Sequence, residues 1–398
     1  MFERKYSTDG KIAVFTLVLM SVQLLFIEGW AVSTLKVMYM AATPLLLLWR
    51  SPYPSKALFL GLLFWVVTVG VSVLQFGMPR MSTFYYTLLF LSMFSLYYNL
   101  VYVNRAFTLD GFIQVVKFVI YGYAVCLVLQ QACLLVGLRY MPFVNLMGQD
   151  FLALFRLNSL AIEPSHAARI LTVYFYALLK LTEYKYRRIL GLKELYAEYK
   201  WPIIAFLYTM LSMGSGTAFV GLGILSLYFM RKQYAFFIFI AGFLFYMIVP
   251  YIDYEPLNRA ISVFNVAMTG DTELVKETDN SAASRVNIIL DTFKYLDLSD
   301  SDTWLGKGID SWGEEHAVVS GIQDYGLISY ILKLVLFFAC CFTGFLTLDV
   351  LIFILLLSMN VGNVAYGWAI LMVFSTIRYF KYNSRYIESS DSESEESE

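Results

Sequence analysis

"ALFLGLLFWVVTVGVSVLQ", residues 57–75, contains no charged side chain. As a helix rising about 1.5 Å per residue it spans close to the ~30 Å hydrocarbon core of a bilayer. Its apolar residues are continuous rather than alternating, so it reads as a helix and not as a strand. Comparable runs fall at 12–27, 30–49, 83–103, 112–137, 165–181, 201–214, 217–230, 234–251, 325–344, 347–361 and 364–380. The expectation is an all-α, polytopic membrane protein of about twelve transmembrane helices.

Composition agrees with that class. A chain of 398 residues that is 59% hydrophobic and 18% aromatic, with mean hydropathy +0.64, carries more apolar surface than one soluble core can bury. The first run lacks a small-residue cleavage site and a second run follows almost at once, so it reads as a span rather than a signal peptide. Lys and Arg gather in alternate connections, at Arg4, Lys5, Lys11, Arg50, Lys56, Arg105, Lys180, Lys185, Arg187, Arg188, Lys193, Lys200, Arg231, Lys232, Arg378, Lys381 and Arg385. Short cytoplasmic loops carry that excess. Both termini are therefore expected in the cytoplasm, and segments 138–164 and 252–320 outside. The domain organisation is one integral membrane domain, 1–380, with a large extracytoplasmic loop, 252–320, between the ninth and tenth spans. Residues 381–398 form an acidic, serine-rich tail, expected to be disordered.

Several functions have no sequence support. A net charge of −1 and the lack of a basic, aromatic-interleaved stretch exclude nucleic acid as a partner. Cys126, Cys133, Cys340 and Cys341 lie in apolar runs without metal-ligand spacing and read as packing residues. There is no glycine-rich phosphate loop, and Asp300 with Asp302 is the nearest approach to a nucleotide-metal pair.

The informative residues are the rare ones. "RLNSLAIEPSHAARI", 156–170, gathers Arg156, Glu163, His166 and Arg169 at the mouth of an apolar run. Pro164 suits a first helical turn, and the helix entering from outside turns its N-terminal N–H groups and positive dipole end outward, where they attract an anion. Arg169 lies one turn inside, four positions after Ser165 and on the same face; a charge at that depth marks a site or a specific pair. The structural alternative is a contact with Glu163 or with a lipid phosphate. In the outer loop, apolar positions 286, 288, 289, 290, 293 and 296 fit an amphipathic helix starting near Arg285, where an arginine gains nothing from the helix dipole and therefore needs another partner. Both histidines, His166 and His316, fall on the expected outer side.

Four stretches in order resemble the bacterial O-antigen polymerase and O-antigen ligase family: "RLNSLAIEPSHAA" (156–168), "LSMGSGTAFVGLGI" (211–224), "SRVNIILDTFKYL" (284–296) with "WLGKGI" (304–309), and "HAVVSGIQDYGLISYIL" (316–332). The second lacks the arginine often found there in the family, leaving Ser215 and Thr217 as polar contacts, and Ala317 replaces a polar residue after His316. The resemblance implies a multi-pass protein of the cytoplasmic membrane that polymerises oligosaccharide units carried on a polyprenyl diphosphate, such as undecaprenyl diphosphate, into O-antigen or capsule. The lipid diphosphate is released, without a metal or other cofactor. It implies His316 as base, Arg285 stabilising the leaving group, and Glu163 as a second catalytic candidate. Arg156, Ser165, His166, Arg169, Ser215 and Thr217 are implied as substrate contacts. The partners implied are the lipid-linked oligosaccharide, membrane lipids and a chain-length regulator. A ligase of the same family, or a transporter of lipid-linked oligosaccharide, are the alternatives.

Overall fold

The computed structural model describes residues 7–23, 33–74, 81–138, 141, 157–230, 296–307, 320–356 and 365–383, with isolated positions between 240 and 277. Among them are twelve α-helices and no strand: α1 (Thr8–Ser21), α2 (Thr34–Arg50), α3 (Lys56–Leu74), α4 (Met81–Tyr102), α5 (Leu109–Leu135), α6 (Pro164–Tyr186), α7 (Leu192–Ser212), α8 (Gly216–Ser226), α9 (Ser301–Leu305), α10 (Ser320–Cys340), α11 (Leu348–Leu356) and α12 (Ala365–Asn383). These are not the twelve expected spans. Of the ninth, at 234–251, only Ile240 and Met247 are among the described residues, and α9 is a short helix in the expected outer loop. Four of the described helices are long and apolar enough to cross a membrane: α3, α5, Phe84–Tyr102 of α4 and Ile322–Cys340 of α10.

The packing follows a lipid rather than a water rule. The most apolar of these four, α3, buries only about a third of its residues, whereas the least apolar, the α4 segment, buries about two thirds. On α3 the exposed Phe59, Val66 and Val73 recur every seven residues and form one outward stripe, while Thr68 and Ser72 on the buried face donate their hydroxyls to the carbonyls of Phe64 and Thr68. In water an apolar stripe of that kind would be a liability, and in hydrocarbon it is the expected surface. The centre belongs to α6 and α12, both buried along almost their whole length. Around Trp368 of α12 pack the rings of Phe90, Phe94 and Phe337.

Successive helices alternate in direction from α1 to α8, which gives the bundle two chemically distinct ends. At one end Asn104 donates to Asp9, Lys185 pairs with Asp110 at 3.0 Å, and Arg378 and Lys381 donate to the carbonyls of Phe338 and Thr343 that close α10. Cations suit such helix C-termini. At the other end lie the start of α6 and the loop before it. The helices α6 and α8 run parallel and in fixed register. A methyl at Gly221 would come within 2.2 Å of Thr172 Oγ1, and Tyr228 reaches the carbonyl of Leu179 at 3.2 Å. Gly221→Ala is therefore expected to lower the melting temperature, at a cost of about 1–3 kcal/mol for overpacking. Thr172→Ala in the same chain should recover part of it, and a thermal melt of both variants checks this.

The α6–α7 connection carries its own lock. Glu194 accepts bonds from Arg188 at 2.8 Å through both carboxylate oxygens and from the Gly191 N–H at 2.9 Å. Arg188 first, then that backbone donor, hold the carboxyl down to about 2 from its ordinary 4.5. A folded value below the unfolded one means that the stability is present above the ordinary value and is lost as pH falls through that window. Glu194→Gln should melt below the parent at pH 7, with the gap closing as acid is added and shrinking in high salt, because the pair is solvent-screened.

Candidate functional site

The loop that feeds α6 is held by α5. The Gln130 side chain donates to Asn158 Oδ1 at 3.1 Å and to the Ser159 carbonyl at 3.2 Å, and it accepts the Ser159 N–H at 2.8 Å. Ser159 sits at φ +50, a left-handed conformation uncommon outside glycine. Such a backbone persists where its surroundings over-determine it. Here the Ser159 hydroxyl also donates to the Tyr123 carbonyl at 2.6 Å, the Gln23 N–H binds the Leu160 carbonyl at 2.7 Å, and Asn158 donates to the Ala161 carbonyl at 2.6 Å. Gln130 was no sequence candidate. Its one signal was an amide inside the apolar run "CLVLQQACLL".

From that loop Glu163 takes extended backbone as N-cap, and Pro164 occupies the first turn. The N–H groups of His166 and Ala167 close on the Glu163 carbonyl. The Glu163 carboxylate caps nothing. Instead it accepts the Ser165 hydroxyl at 3.2 Å and stands 3.8 Å from His166 Nε2, a contact that becomes an ion pair when the imidazole is protonated. The His166 ring lies 4.5 Å from that of Tyr366 on α12.

Arg169 completes the cluster. It is 7% exposed, and its Nη1 donates to the Tyr366 hydroxyl at 2.7 Å. Among the described residues no carboxylate pairs with it, and its buried Nε has no hydrogen-bond partner. The expected alternative contact, Arg169 with Glu163, is absent among those residues. Tyr366, the neutral partner found instead, lies 197 positions away in a run that read only as an apolar span. Its signal was a tyrosine at the expected membrane boundary, a common position for that residue.

Ser215 is the N-cap of α8, buried and without a side-chain cap bond, and Thr217 follows half-buried in the first turn. Gly221 with Thr172 and Tyr228 with Leu179 share one separation of 49 positions. The same register sets Ser215 level with His166. Two of the four motif stretches therefore open side by side.

The other two meet as backbone. Gly326 interrupts α10 at φ 80, ψ 165, and α9 ends in Gly306 at φ 75. A methyl at Gly326 would lie 2.1 Å from the Trp304 carbonyl oxygen, and one at Gly306 would lie 2.6 Å from the Gly326 nitrogen. Lys307 N–H binds the Gln323 carbonyl at 2.7 Å, so chain positions on either side of 308–319 are held together. Asp300 caps α9 by accepting the Asp302 N–H at 3.0 Å, a local structural role for that acidic pair. Arg156, Arg285 and His316 lie outside the described residues.

No protein-family model, no curated protein and no solved structure matches the chain.

Proposed function

We propose that this protein spans the cytoplasmic membrane about twelve times and polymerises polyprenyl-diphosphate-linked oligosaccharide units at its outer face. The observation that carries the reading is Arg169: a guanidinium buried at the mouth of an apolar bundle, bonded to a phenol and to no carboxylate among the described residues. Burying an uncompensated charge is expensive, and in a membrane segment it marks a site for a counter-charge. The N-terminal dipole of α6 adds to the same field. An anionic group at headgroup depth fits this end of the bundle, and a diphosphate joining a lipid to a sugar lies at that depth.

The orientation has similar support. Arg50, Arg105, Lys185, Arg188, Arg378 and Lys381 sit at or beside helix ends opposite the Arg169 mouth, which supports reading that opposite end as the cytoplasmic one. The end of α8 and the start of α10 lie at opposite ends of the bundle, the parity that a ninth crossing requires. Helices α6 and α12, though less apolar than α3, are enclosed by other helices, so they cross without needing a lipid-compatible surface.

In the reaction the acceptor sugar hydroxyl attacks the donor's anomeric carbon. The carbon–oxygen bond to the diphosphate breaks, and the diphosphate leaves with the electron pair. Arg169, with Arg285 and Arg156 contributed from the external segments, neutralises the charge that grows on the leaving oxygens. The hydroxyl proton passes to His316, with Glu163 as the second candidate. Ser165, His166, Ser215 and Thr217 line the approach for the sugars.

Deletion followed by analysis of surface glycan tests the reading. A lost polymerase leaves single units attached, whereas unattached lipid-linked polymer marks a ligase. Units trapped inside the cell mark a transporter, and an unchanged surface glycan overturns the proposal.

A further inference from the structure

We infer that the N-terminal end of α2 is a second anion site, built by Ser33 and Lys36, at the same end of the bundle as Arg169. Lys36 is 4% exposed although it lies in an apolar helix. Its ammonium donates to Gln23 Oε1 at 3.0 Å and, at the long limit, to the Met20 carbonyl at 3.4 Å. Both acceptors are neutral, and no carboxylate pairs with it among the described residues. One of its three donors has no partner among the described residues.

Ser33 supplies an independent observation. It is the N-cap of α2 and 1% exposed, yet its hydroxyl bonds none of the first-turn N–H groups and has no partner among the described residues. An N-cap serine normally satisfies one of those donors. Here a seventeen-residue helix carries an unbonded N-cap hydroxyl, first-turn N–H groups which that hydroxyl leaves uncapped, and a buried ammonium three positions on. That combination fits a phosphoryl group. Gln23 ties the two anion sites together, since its side chain holds Lys36 while its N–H holds the Leu160 carbonyl in the loop before α6.

The chemistry recognised is a phosphate or diphosphate, from a lipid headgroup or free in solution. Assigning it to a lipid rests on the proposed function, because joining two lipid-linked glycans brings two diphosphates to one mouth. The anion site itself does not rest on that reading.

The test uses the full-length protein in phosphatidylcholine nanodiscs, titrated with farnesyl diphosphate. The parent should take two equivalents. Lys36→Met and Ser33→Ala should weaken one of them, roughly tenfold or more for the lysine, and Arg169→Met should weaken the other. Inorganic diphosphate that displaces the Lys36-dependent equivalent identifies a free-anion site, and failure to displace it identifies a lipid headgroup. If Lys36→Met misfolds, Lys36→Arg and Ser33→Ala carry the measurement, with the arginine retaining binding. Two unchanged equivalents in all these variants overturn the second site and leave the proposed function standing. A parent that binds no farnesyl diphosphate overturns both. Glu28, outside the described residues, provides a final arm: if Glu28→Gln destabilises the protein as Lys36→Met does while binding stays intact, Lys36 serves a structural pair and the site is overturned.

Discussion

On the proposed function, Arg169→Met will lower polymer formation about 10²–10³-fold, the usual loss when one preorganised donor to a developing oxyanion is removed. Arg169 is buried, its Nε bonds nothing described and its one described partner is a phenol, so methionine deletes the charge while leaving an apolar side chain of similar reach. The measurement is turnover of a synthetic lipid-diphosphate oligosaccharide by purified protein in nanodiscs, beside a thermal melt. Lysine should not rescue, because a compact ammonium cannot hold Tyr366 and an anion through a planar fork. Tyr366→Phe separates catalysis from tethering. If Arg169 only fastens α6 to α12, losing the hydroxyl will be as damaging as losing the guanidinium. If Arg169 serves an anion, Tyr366→Phe will fall short of the arginine variant by about tenfold or more. Equal activity of Arg169→Met and parent, at equal melting temperature, sinks the assignment.

The same residues mark what the chain disclosed before its structure was known. The run over α3 was legible because a lipid-facing helix must be apolar on its outer surface, and hydropathy measures that demand. The helix at Pro164 was legible because proline and the apolar run fixed where it starts. Helix α7 starts at Leu192, before the expected 201, and breaks at Tyr199, φ −126 and ψ 35, three residues ahead of Pro202; a proline clashes with the turn before it, but charges at 193–200 masked the helical part of that turn. Enclosure by neighbours hid more. Helix α12 sits at the centre because of what surrounds it, and no local pattern announced that Tyr366 would meet Arg169. Gln130, Ser33 and Lys36 were invisible for a related reason: each is polar inside an apolar run, and only packing tells a clamp or a site from a solvated exception. The two glycine-bearing motifs were visible as stretches of sequence, but their mutual contact depends on a fold that brings α9 onto α10.

That contact yields the second large effect. Gly326→Ala will destabilise the α9–α10 junction by about 3 kcal/mol or more. Two independent penalties act on the new methyl group. The backbone at φ 80, ψ 165 is a region essentially closed to residues with a Cβ, a strain of about 1–3 kcal/mol. The methyl would also stand 2.1 Å from the Trp304 carbonyl oxygen and 2.5 Å from its carbon. Those atoms are backbone, fixed by α9 and by the Lys307–Gln323 bond, so no rotamer change relieves the overlap. The Gly306 methyl meets the mirror problem, 2.8 Å from the Asp324 carbonyl oxygen, so Gly306→Ala should behave alike. Gly70→Ala in α3 is the control, because nothing lies within 4 Å of its methyl and replacing a mid-helix glycine is worth about 0.5–1 kcal/mol in the favourable direction. Limited proteolysis of the intact protein, followed at 297–307, should find this segment cut far faster in both junction variants and at the parental rate in Gly70→Ala. Because Lys307 and Gln323 also bring together the chain on either side of the stretch carrying His316, the proposed turnover should fall with the junction while the proposed binding of farnesyl diphosphate at Arg169 is kept. A Gly326→Ala protein that resists the protease and turns over like the parent removes the junction from the argument.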